Sequence, residues 1–414
     1  MGPITLFDKS FLQSLSVDES VWFDHFFLTN VCPLFYVEKM ADLEKPQRKG
    51  RDAKDEVRII ADKFPEMHGM PCSYHTELCT ANLLGQEVPM TGQVPLSGAQ
   101  FVKTDGKSGA VFEPSPEAEA FSRWQKGEFL EVERLYARVW RSSLSPLDSK
   151  VLAKEVRNLD IDVVSCKTLK EAKRLAEGVI VRRSKPIARM KLALTSLNIQ
   201  CGFHDQILKR WIHANHPPLT QYASYAAYVL TVVLFYKIAI LAGLISNERP
   251  SSRVDVAYLF YLPFCMMFVS SDRLHEKCAS LFMRSDQVFV WGPELKSGLN
   301  EINKYYLKLS DTAREKGVYS FACDPPEIGS SIVSRLWDKL LPKWRSTEGV
   351  DIEDRPVGRP TIDEIKRMAS APPLSPSEGV FNPNITERFL IKRMVERKKG
   401  SWYQTPKDIK AEQE

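Results

Sequence analysis

Four acidic residues stand where the local sequence could bring carboxylates to a common edge: Asp8, Glu38, Asp255 and Asp272. Asp8 directly follows the apolar run 4–7, and Asp272 follows the apolar run 266–269 after two serines. Short apolar runs are typical of buried strands, and the carboxyl ends of parallel strands meet at one edge of a sheet. Carboxylate oxygens are the ligands that Mg²⁺ and Mn²⁺ prefer, and such ions neutralise charge and activate water in phosphodiester hydrolysis. Four acids gathered in this way would meet that chemical need.

The order of these acids and their flanking residues resemble the PIN-like domain family of nucleases. The segment 7–12 (FDKSFL) resembles the opening of such a domain, in which a strand ends in Asp followed two residues later by Ser or Thr. Glu38, in the predicted helix EKMADLEK, resembles the second acid, and Asp255, before the predicted helix leading to YLPF, resembles the third. The segment 269–272 (VSSD) resembles the strand-end motif with the last acid. The resemblance covers about residues 1–45 and 225–310, and proteins of the family are usually far shorter.

The resemblance implies a metal-dependent endonuclease in which the four acids bind Mg²⁺ or Mn²⁺. It also implies that Ser10 and Ser270 support the carboxylates by hydrogen bonds, as groups behind metal ligands commonly do. RNA is the favoured substrate, because most proteins that resemble this family cleave RNA. A structure-specific DNA nuclease would use the same chemistry. The alternative from another class is a noncatalytic or partner-regulated interaction protein on the same fold, and a homo-oligomer or a regulatory protein partner is compatible with either.

Alternating apolar runs and helical patterns predict an α/β fold, a central parallel sheet flanked by helices with a large, mostly helical insertion. We expect residues 1–45 and 225–320 to form the PIN-like core and residues 46–224 the insertion. Residues 345–414 are rich in Pro, Ser and charge, which favours a C-terminal tail with little core of its own.

Capping boxes and turn residues predict the individual elements between these motifs. Ser16 and Glu19 indicate the start of a helix that ends near Asn30. Weak periodicity over 46–110 favours loops and hairpins, whereas 116–144 is typical of one long amphipathic helix. Thr168 and Glu171 indicate another helix start, with Gly178 as the predicted stop. A helix near 273–283, a strand at 287–291 and a helix from about 294 to 309 complete the pattern.

Residues 167–191 form a basic segment with nine Lys or Arg residues and two acidic ones. One interpretation is a solvated helix face. The other is a phosphate-binding surface, with these residues contacting the nucleic-acid backbone: Arg182, Arg183, Lys185 and Arg189. A second basic helix is possible at 388–399.

The overall composition fits an ordinary globular protein, with 43% hydrophobic residues and a net charge of only +5. Eight cysteines and an acid as early as Asp8 favour reduced thiols and a cytoplasmic location. The apolar stretch 227–245 is long enough for a membrane span, but Lys237 near its middle favours a buried core helix instead. His68, Cys72, His75 and Cys79 have the residue types of a zinc site, but their spacing is not that of a well-known zinc finger, and buried thiols with loop histidines are the favoured interpretation.

Overall fold

The strands and helices are taken from a computed structural model of the 414-residue chain. The structure describes residues 2–44, 52–104, 107–112, 116–143, 147–157, 161–182, 184–249, 251–329, 331–342, 344–346, 367, 371–372 and 396–407. These residues form the following strands: β1 (Ile4–Phe7), β2 (Leu28–Val31), β3 (Gly69–Pro71), β4 (Ala99–Thr104), β5 (Lys107–Phe112), β6 (Met267–Ser270), β7 (Val288–Trp291), β8 (Lys398–Lys399) and β9 (Trp402–Tyr403).

Helices are more abundant than strands in the described part of the chain. They are α1 (Lys9–Ser14), α2 (Val17–Phe26), α3 (Pro33–Ala41), α4 (Ala53–Ala61), α5 (His75–Leu83), α6 (Pro116–Gln125), α7 (Glu131–Ser143), α8 (Ser149–Arg157), α9 (Leu169–Val181), α10 (Pro186–Ser196), α11 (Cys201–His213), α12 (Leu219–Tyr222), α13 (Ser224–Leu241), α14 (Ser252–Ala257), α15 (Arg273–Phe282), α16 (Gly292–Tyr306), α17 (Asp311–Arg314) and α18 (Ile332–Leu340). Short 3₁₀ helices are Asp42–Glu44, Tyr258–Phe264, Val318–Ser320 and Trp344–Ser346.

A five-stranded parallel sheet in the order β3-β2-β1-β6-β7 lies at the centre of the fold. In the register of β1 and β6, Leu6 pairs with Phe268 and Phe7 with Val269. All residues of these two strands are buried, as expected for the inner strands of a sheet covered on both faces. The α/β class, the parallel sheet and both strand-end acids predicted from the sequence are therefore confirmed. The two further sheets are the antiparallel pairs β4-β5 and β8-β9.

Successive strands lie on opposite sides of β1 before and after the chain returns to the sheet at β6. The chain moves from β1 to β2 and β3 on one side, and from β6 to β7 on the other. Since connections between parallel strands are right-handed, the helices that connect β1 to β2 and the helix that connects β6 to β7 (α15) cover opposite faces. The pair β1 and β6 therefore flanks the topological switch point, where crevices open outside the carboxyl ends of the strands.

Several element boundaries differ from the predictions for physical reasons. Helix α2 ends at Phe26, and the buried polar residues Thr29 and Asn30 belong to β2 instead. The Asn30 amide donates to the carbonyl of Phe264 at 2.9 Å, a tertiary contact that gives no local sequence signal. The predicted 116–144 helix is two helices, α6 and α7, which are separated at Gly127, where φ is +77°.

The stretch 46–110 is more ordered than predicted. Its β4-β5 hairpin is confirmed, but it also contains α4, α5 and the edge strand β3, which were missed. The sequence of β3 is Gly-Met-Pro, and proline is tolerated there because the strand lies at the edge of the sheet. The stop predicted at Gly178 is wrong, because α9 continues to Val181.

Helix α13 corresponds to the apolar stretch 227–245, and its packing agrees with a core helix. It is the one described helix long and apolar enough to cross a membrane, and 72% of it is buried within the protein. It packs against α5 and α9, and Phe235 contacts the ring of Phe282 on α15. The mid-helix Lys237 forms an ion pair with Glu155 of α8 at 2.8 Å, which compensates the charge within this apolar helix.

The end of the predicted C-terminal tail returns to the core. Trp402 of β9 is fully buried and contacts the ring of Trp22 on α2, with centroids 4.7 Å apart. Its indole N–H donates to Asn303 of α16 at 2.8 Å. The prediction of a tail with little core is therefore wrong for 396–407, and the basic helix considered at 388–399 lies mostly outside the described residues.

We predict that Trp402→Ala lowers the free energy of unfolding by about 3–5 kcal/mol, the usual cost of truncating a buried tryptophan. Tyr403→Ala, which removes a half-buried neighbour in the same hairpin, is the matched control and should cost much less. Urea denaturation followed by circular dichroism measures both. Equal stability of the parent and the Trp402 variant would contradict the packing of this hairpin.

Candidate active site

Asp8 begins helix α1 directly after β1. It is 4% exposed, and its Oδ1 accepts the backbone N–H of Phe11 at 3.0 Å as a helix N-cap. Its Oδ2 accepts the hydroxyl of Ser10 at 2.6 Å. Burial raises the pKa of Asp8, while the nearby imidazole of His275 acts in the opposite direction. The carboxylate is held in a fixed position, and Ser10 is one of the groups that hold it.

Asp272 occupies the matching position after β6. Its Oδ1 accepts the backbone N–H of Leu274 at 2.6 Å, so it is the N-cap of α15. Its Oδ2 lies 3.3 Å from a guanidinium nitrogen of Arg249. The Ser270 hydroxyl accepts the backbone N–H of Asp272 at 2.9 Å and lies 2.7 Å from His275 Nδ1, so it contacts the backbone and the imidazole rather than a carboxylate as predicted.

The two strand ends are joined directly. The backbone N–H of Ser271 donates to the Ser10 hydroxyl oxygen at 3.1 Å, although the two residues are 261 positions apart. Ser10 therefore donates to Asp8 and accepts from the end of β6. Gly292 at the start of α16 packs against the same place, where an added Cβ would lie 2.1 Å from Ser271 Oγ. This close approach explains why glycine stands there.

Asp255 lies in the first turn of α14 rather than before a helix. It is 8% exposed, and its Oδ2 is buried without a hydrogen-bond partner among the described residues. Burial and the charges of Glu38, Asp272 and Asp8 together raise its pKa to about 8, against the opposing charge of Arg249. The four predicted acids are therefore close enough to influence the ionisation of one carboxyl group.

Glu38 of α3 has both oxygens engaged. The ammonium group of Lys9 lies 3.0 Å from Oε1, and the Tyr258 hydroxyl donates to Oε2 at 2.8 Å. Burial lowers the pKa of Lys9, but the charges of Glu38 and Asp42 outweigh it and hold that pKa above its usual range. Sequence reasoning missed Lys9 and Tyr258. The position of Lys9 immediately after the strand-end Asp8 was the one local signal available.

His275 of α15 is a second group that the sequence did not reveal. It is 1% exposed, its Nε2 lies 2.6 Å from the backbone carbonyl of Asp255, and its Nδ1 lies 2.7 Å from Ser270 Oγ. A carbonyl only accepts, so Nε2 carries a proton. Nδ1 also lies 3.7 Å from Oδ2 of Asp8. This imidazole thus connects β6, α14 and the Asp8 carboxylate.

The oxygen atoms of the four carboxylates suit a hard cation, although hydrogen bonds and ion pairs within the protein already involve most of them. The carboxylates have the oxygen chemistry that Mg²⁺ and Mn²⁺ need, and the partnerless Oδ2 of Asp255 is a ready ligand. In the described part of the chain, however, no three His, Cys, Asp or Glu side chains are grouped closely enough to hold a metal ion. Lys9 holds Glu38 and Arg249 holds Asp272, so two of the four carboxylates already have cationic partners.

The basic segment predicted to contact nucleic acid spans the end of α9 and the start of α10. Arg182 and Lys185 are exposed, and Lys185 has φ of +51°. Arg189 donates to the carbonyl of Arg182 and, at 2.7 Å, to Ser184 Oγ. Arg183 lies outside the described residues. Helix α9 packs against α13 and against α15, the helix that Asp272 caps.

The four residues weighed as a zinc site have separate environments. The imidazole of His68 contacts the Asp24 carbonyl and the Tyr319 hydroxyl, whereas His75 contacts the hydroxyl of Tyr261. Cys72 and Cys79 are buried, and burial raises the pKa of both thiols. The interpretation as buried thiols fits the described residues better than a metal site does.

The chain matches no protein-family model, no curated protein and no solved structure.

We predict that Asp255→Asn stabilises the metal-free protein at alkaline pH. A carboxyl whose folded-state pKa is raised favours folding while it is protonated, and this contribution is lost as pH rises from its ordinary value of 3.8 towards about 8. The melting temperature of the variant should therefore be higher than that of the parent at pH 8.5, and the difference between the two melting temperatures should decrease towards pH 4.

Thermal melts in a chelating buffer across this pH range measure the effect. Asp205→Asn, which changes an exposed carboxylate on α11, is the control and should leave the melting temperature unchanged at every pH. A difference that stays constant with pH would contradict the raised pKa.

Proposed function

We propose that the protein is a metal-dependent nuclease that hydrolyses phosphodiester bonds, with RNA as the favoured substrate. The observation that supports this best is the set of charges around Asp255. Burial and, to a lesser extent, three further carboxylates raise its pKa, and its own Oδ2 has no partner among the described residues. Carboxylates crowded in this way cost stability unless a cation compensates them, which is the arrangement expected of a metal-binding site.

Asp8, Asp255 and Asp272 would hold Mg²⁺ or Mn²⁺ directly, with Glu38 as the fourth acid. When bound, the ion would neutralise charge on the phosphate and lower the pKa of a coordinated water. The protein would contribute the geometry, because two of these acids are helix N-caps fixed by backbone N–H groups. His275 and the serines Ser10 and Ser270 would keep those carboxylates aimed at the crevice.

Lys9 would act as the cation that balances Glu38 before a metal arrives. Its ammonium group contacts Glu38 at 3.0 Å and Asp42 at 3.4 Å. Asp42 keeps a second cationic partner, Lys39, at 2.6 Å. Release of Lys9 would therefore free Glu38 for a metal without leaving Asp42 unpaired.

The basic segment 167–191 would bind the phosphate backbone through Arg182, Arg183, Lys185 and Arg189, and the protein would act in the cytoplasm. A noncatalytic or partner-regulated interaction protein is the second candidate. The observation that favours it is the pairing of two acids with cations, since Lys9 contacts Glu38 and Arg249 contacts Asp272. Regulation by a protein partner would then work by opening these ion pairs.

We predict that Asp8→Asn and Asp272→Asn each abolish metal-dependent cleavage while preserving the fold. Asparagine is as good a helix N-cap as aspartate, so α1 and α15 keep their starts, but the amide is a poor metal ligand. Cleavage of labelled RNA and DNA is measured with Mn²⁺ or Mg²⁺ and with chelator.

Glu276→Gln is the matched control for these variants. It removes an exposed acid of α15 that pairs with Arg273 at 2.7 Å, so cleavage should remain. Full activity in chelator, or unchanged activity of both aspartate variants, would eliminate the metal-dependent mechanism. No cleavage of either nucleic acid by the parent protein would favour the interaction protein.

We predict that Lys9→Met tightens Mn²⁺ binding by about tenfold or more, because close charge pairs are coupled by ~1.5 kcal/mol or more and Glu38 becomes available. Lys39→Met is the matched control, since it removes the other partner of Asp42 and leaves the contact between Lys9 and Glu38 intact. Isothermal titration calorimetry with Mn²⁺ gives both affinities. An unchanged affinity of the Lys9 variant would remove Glu38 from the metal site.

A further inference from the structure

A cavity of about 930 Å³ lies beside the acidic site. Helices α3, α5, α7, α8, α10, α13 and α14 all contribute residues to its wall. Its rim is open to solvent, since Tyr136 is 48% exposed and Val151 is 54% exposed. A cavity of this size is in the range that encloses a small ligand.

Aliphatic residues are the largest group in the cavity wall, and five aromatic side chains stand among them. They are Tyr74, Tyr136, Trp140, Tyr236 and Phe260. Planar rings on several sides favour a planar, apolar ligand, because stacking against them needs no particular hydrogen-bond pattern.

The cavity also carries positive charge that the protein does not neutralise. Lys191 and Arg253 line it, and neither forms an ion pair with any of the described residues. Of the two acids in the same wall, Glu155 pairs with Lys237 at 2.8 Å, whereas Asp148 accepts only the backbone N–H of Lys150 at 2.8 Å and keeps its negative charge. Three cationic residues against two acidic ones leave the wall with an excess of one positive charge. The remaining charge therefore favours an anionic group on the ligand.

The cavity and the acidic site share two helices. On α14, Arg253, Val254 and Val256 line the cavity, whereas Asp255 between them belongs to the acidic site. On α3, Val37 lines the cavity and the next residue, Glu38, belongs to the acidic site. None of the four acids lines the cavity, so the cavity and the acidic site lie on different faces of α14, a helix of six residues and ~9 Å in length.

We propose that this cavity binds one nucleotide unit, with the base among the aromatic side chains and a phosphate at Lys191 and Arg253. As part of a single strand, this unit would hold the neighbouring phosphodiester near the acids, a role that rests on the proposed function. A free mononucleotide offers the same chemistry as a ligand. Lys191 is also the last residue of the basic segment 167–191, so that segment would lead the strand into the cavity.

The test is binding of a fluorescently labelled single-stranded RNA to the full chain in chelating buffer, measured by anisotropy over a range of salt. The double variant Lys191→Gln/Arg253→Gln should bind at least about tenfold more weakly, and its salt slope should fall by about 0.7 for each phosphate contact removed. Tyr136→Ala should also weaken binding by about tenfold while leaving the salt slope unchanged, since it removes stacking and no charge. Lys308→Gln/Lys339→Gln, the same charge change on exposed residues of other elements, is the control and should bind as the parent does.

Competition with a mononucleotide distinguishes the two sources of the ligand. Displacement of the RNA by micromolar mononucleotide would assign the cavity to free nucleotides, and displacement by unlabelled RNA alone would assign it to the strand. Parent-like binding by the cavity variants, or equal losses in the control, would overturn the proposal. Chelator and the Asp8→Asn variant separate this result from the nuclease, because nucleotide binding should persist in both whether or not the protein cleaves RNA.

Discussion

The contact between the ends of β1 and β6 is the constraint on which the candidate site depends. Ser10 accepts the backbone N–H of Ser271 and donates to Asp8, so one hydroxyl joins two strand ends that are 261 positions apart. The sheet order makes these strands neighbours at the topological switch point. The chain between β2 and β6 contains the β4-β5 hairpin and most of the helices. It must fold so that β6 pairs with β1 in the observed register.

Balance of charge is the second requirement of the junction. Asp8, Asp255 and the buried side of Glu38 are withdrawn from water, which raises the pKa of Asp8 and Asp255. Lys9 and Arg249 offset part of this crowding, and the imidazole of His275 opposes it at Asp8. The site therefore combines two carboxylates held by backbone N–H groups with cationic side chains that pair with Glu38 and Asp272.

The sequence was most informative where local patterns and chemistry coincide. Asp8 and Asp272 were predictable because each follows an uninterrupted apolar strand, and the capping box at Ser16 and Glu19 marked a real helix start. Strand β3 was not predictable, because Gly-Met-Pro pairs as a strand only when β2 lies beside it.

Residues that join the site only through contacts with distant elements were equally unpredictable from the sequence. The hydrogen bond from Tyr258 to Glu38 joins elements that are distant in sequence. The contact of His275 with the backbone carbonyl of Asp255 joins α15 to α14. The cavity beside α14 has walls from seven helices, so no single stretch of sequence carries its signature. Periodicity can identify a helix face, but it cannot identify which other faces will meet it.

The separation of β1 from β6 also has a consequence during synthesis of the chain. A ribosome adds about 5–20 residues per second, so the 261 positions between Ser10 and Ser271 correspond to roughly ten to fifty seconds of translation. During that interval β6, the neighbour of β1 on one side, has not yet been synthesised, and the apolar side chains of β1 lack its contacts. Asp272 is added only after about two thirds of the 414 residues have been made, so the acidic site stays unassembled on the nascent chain until then.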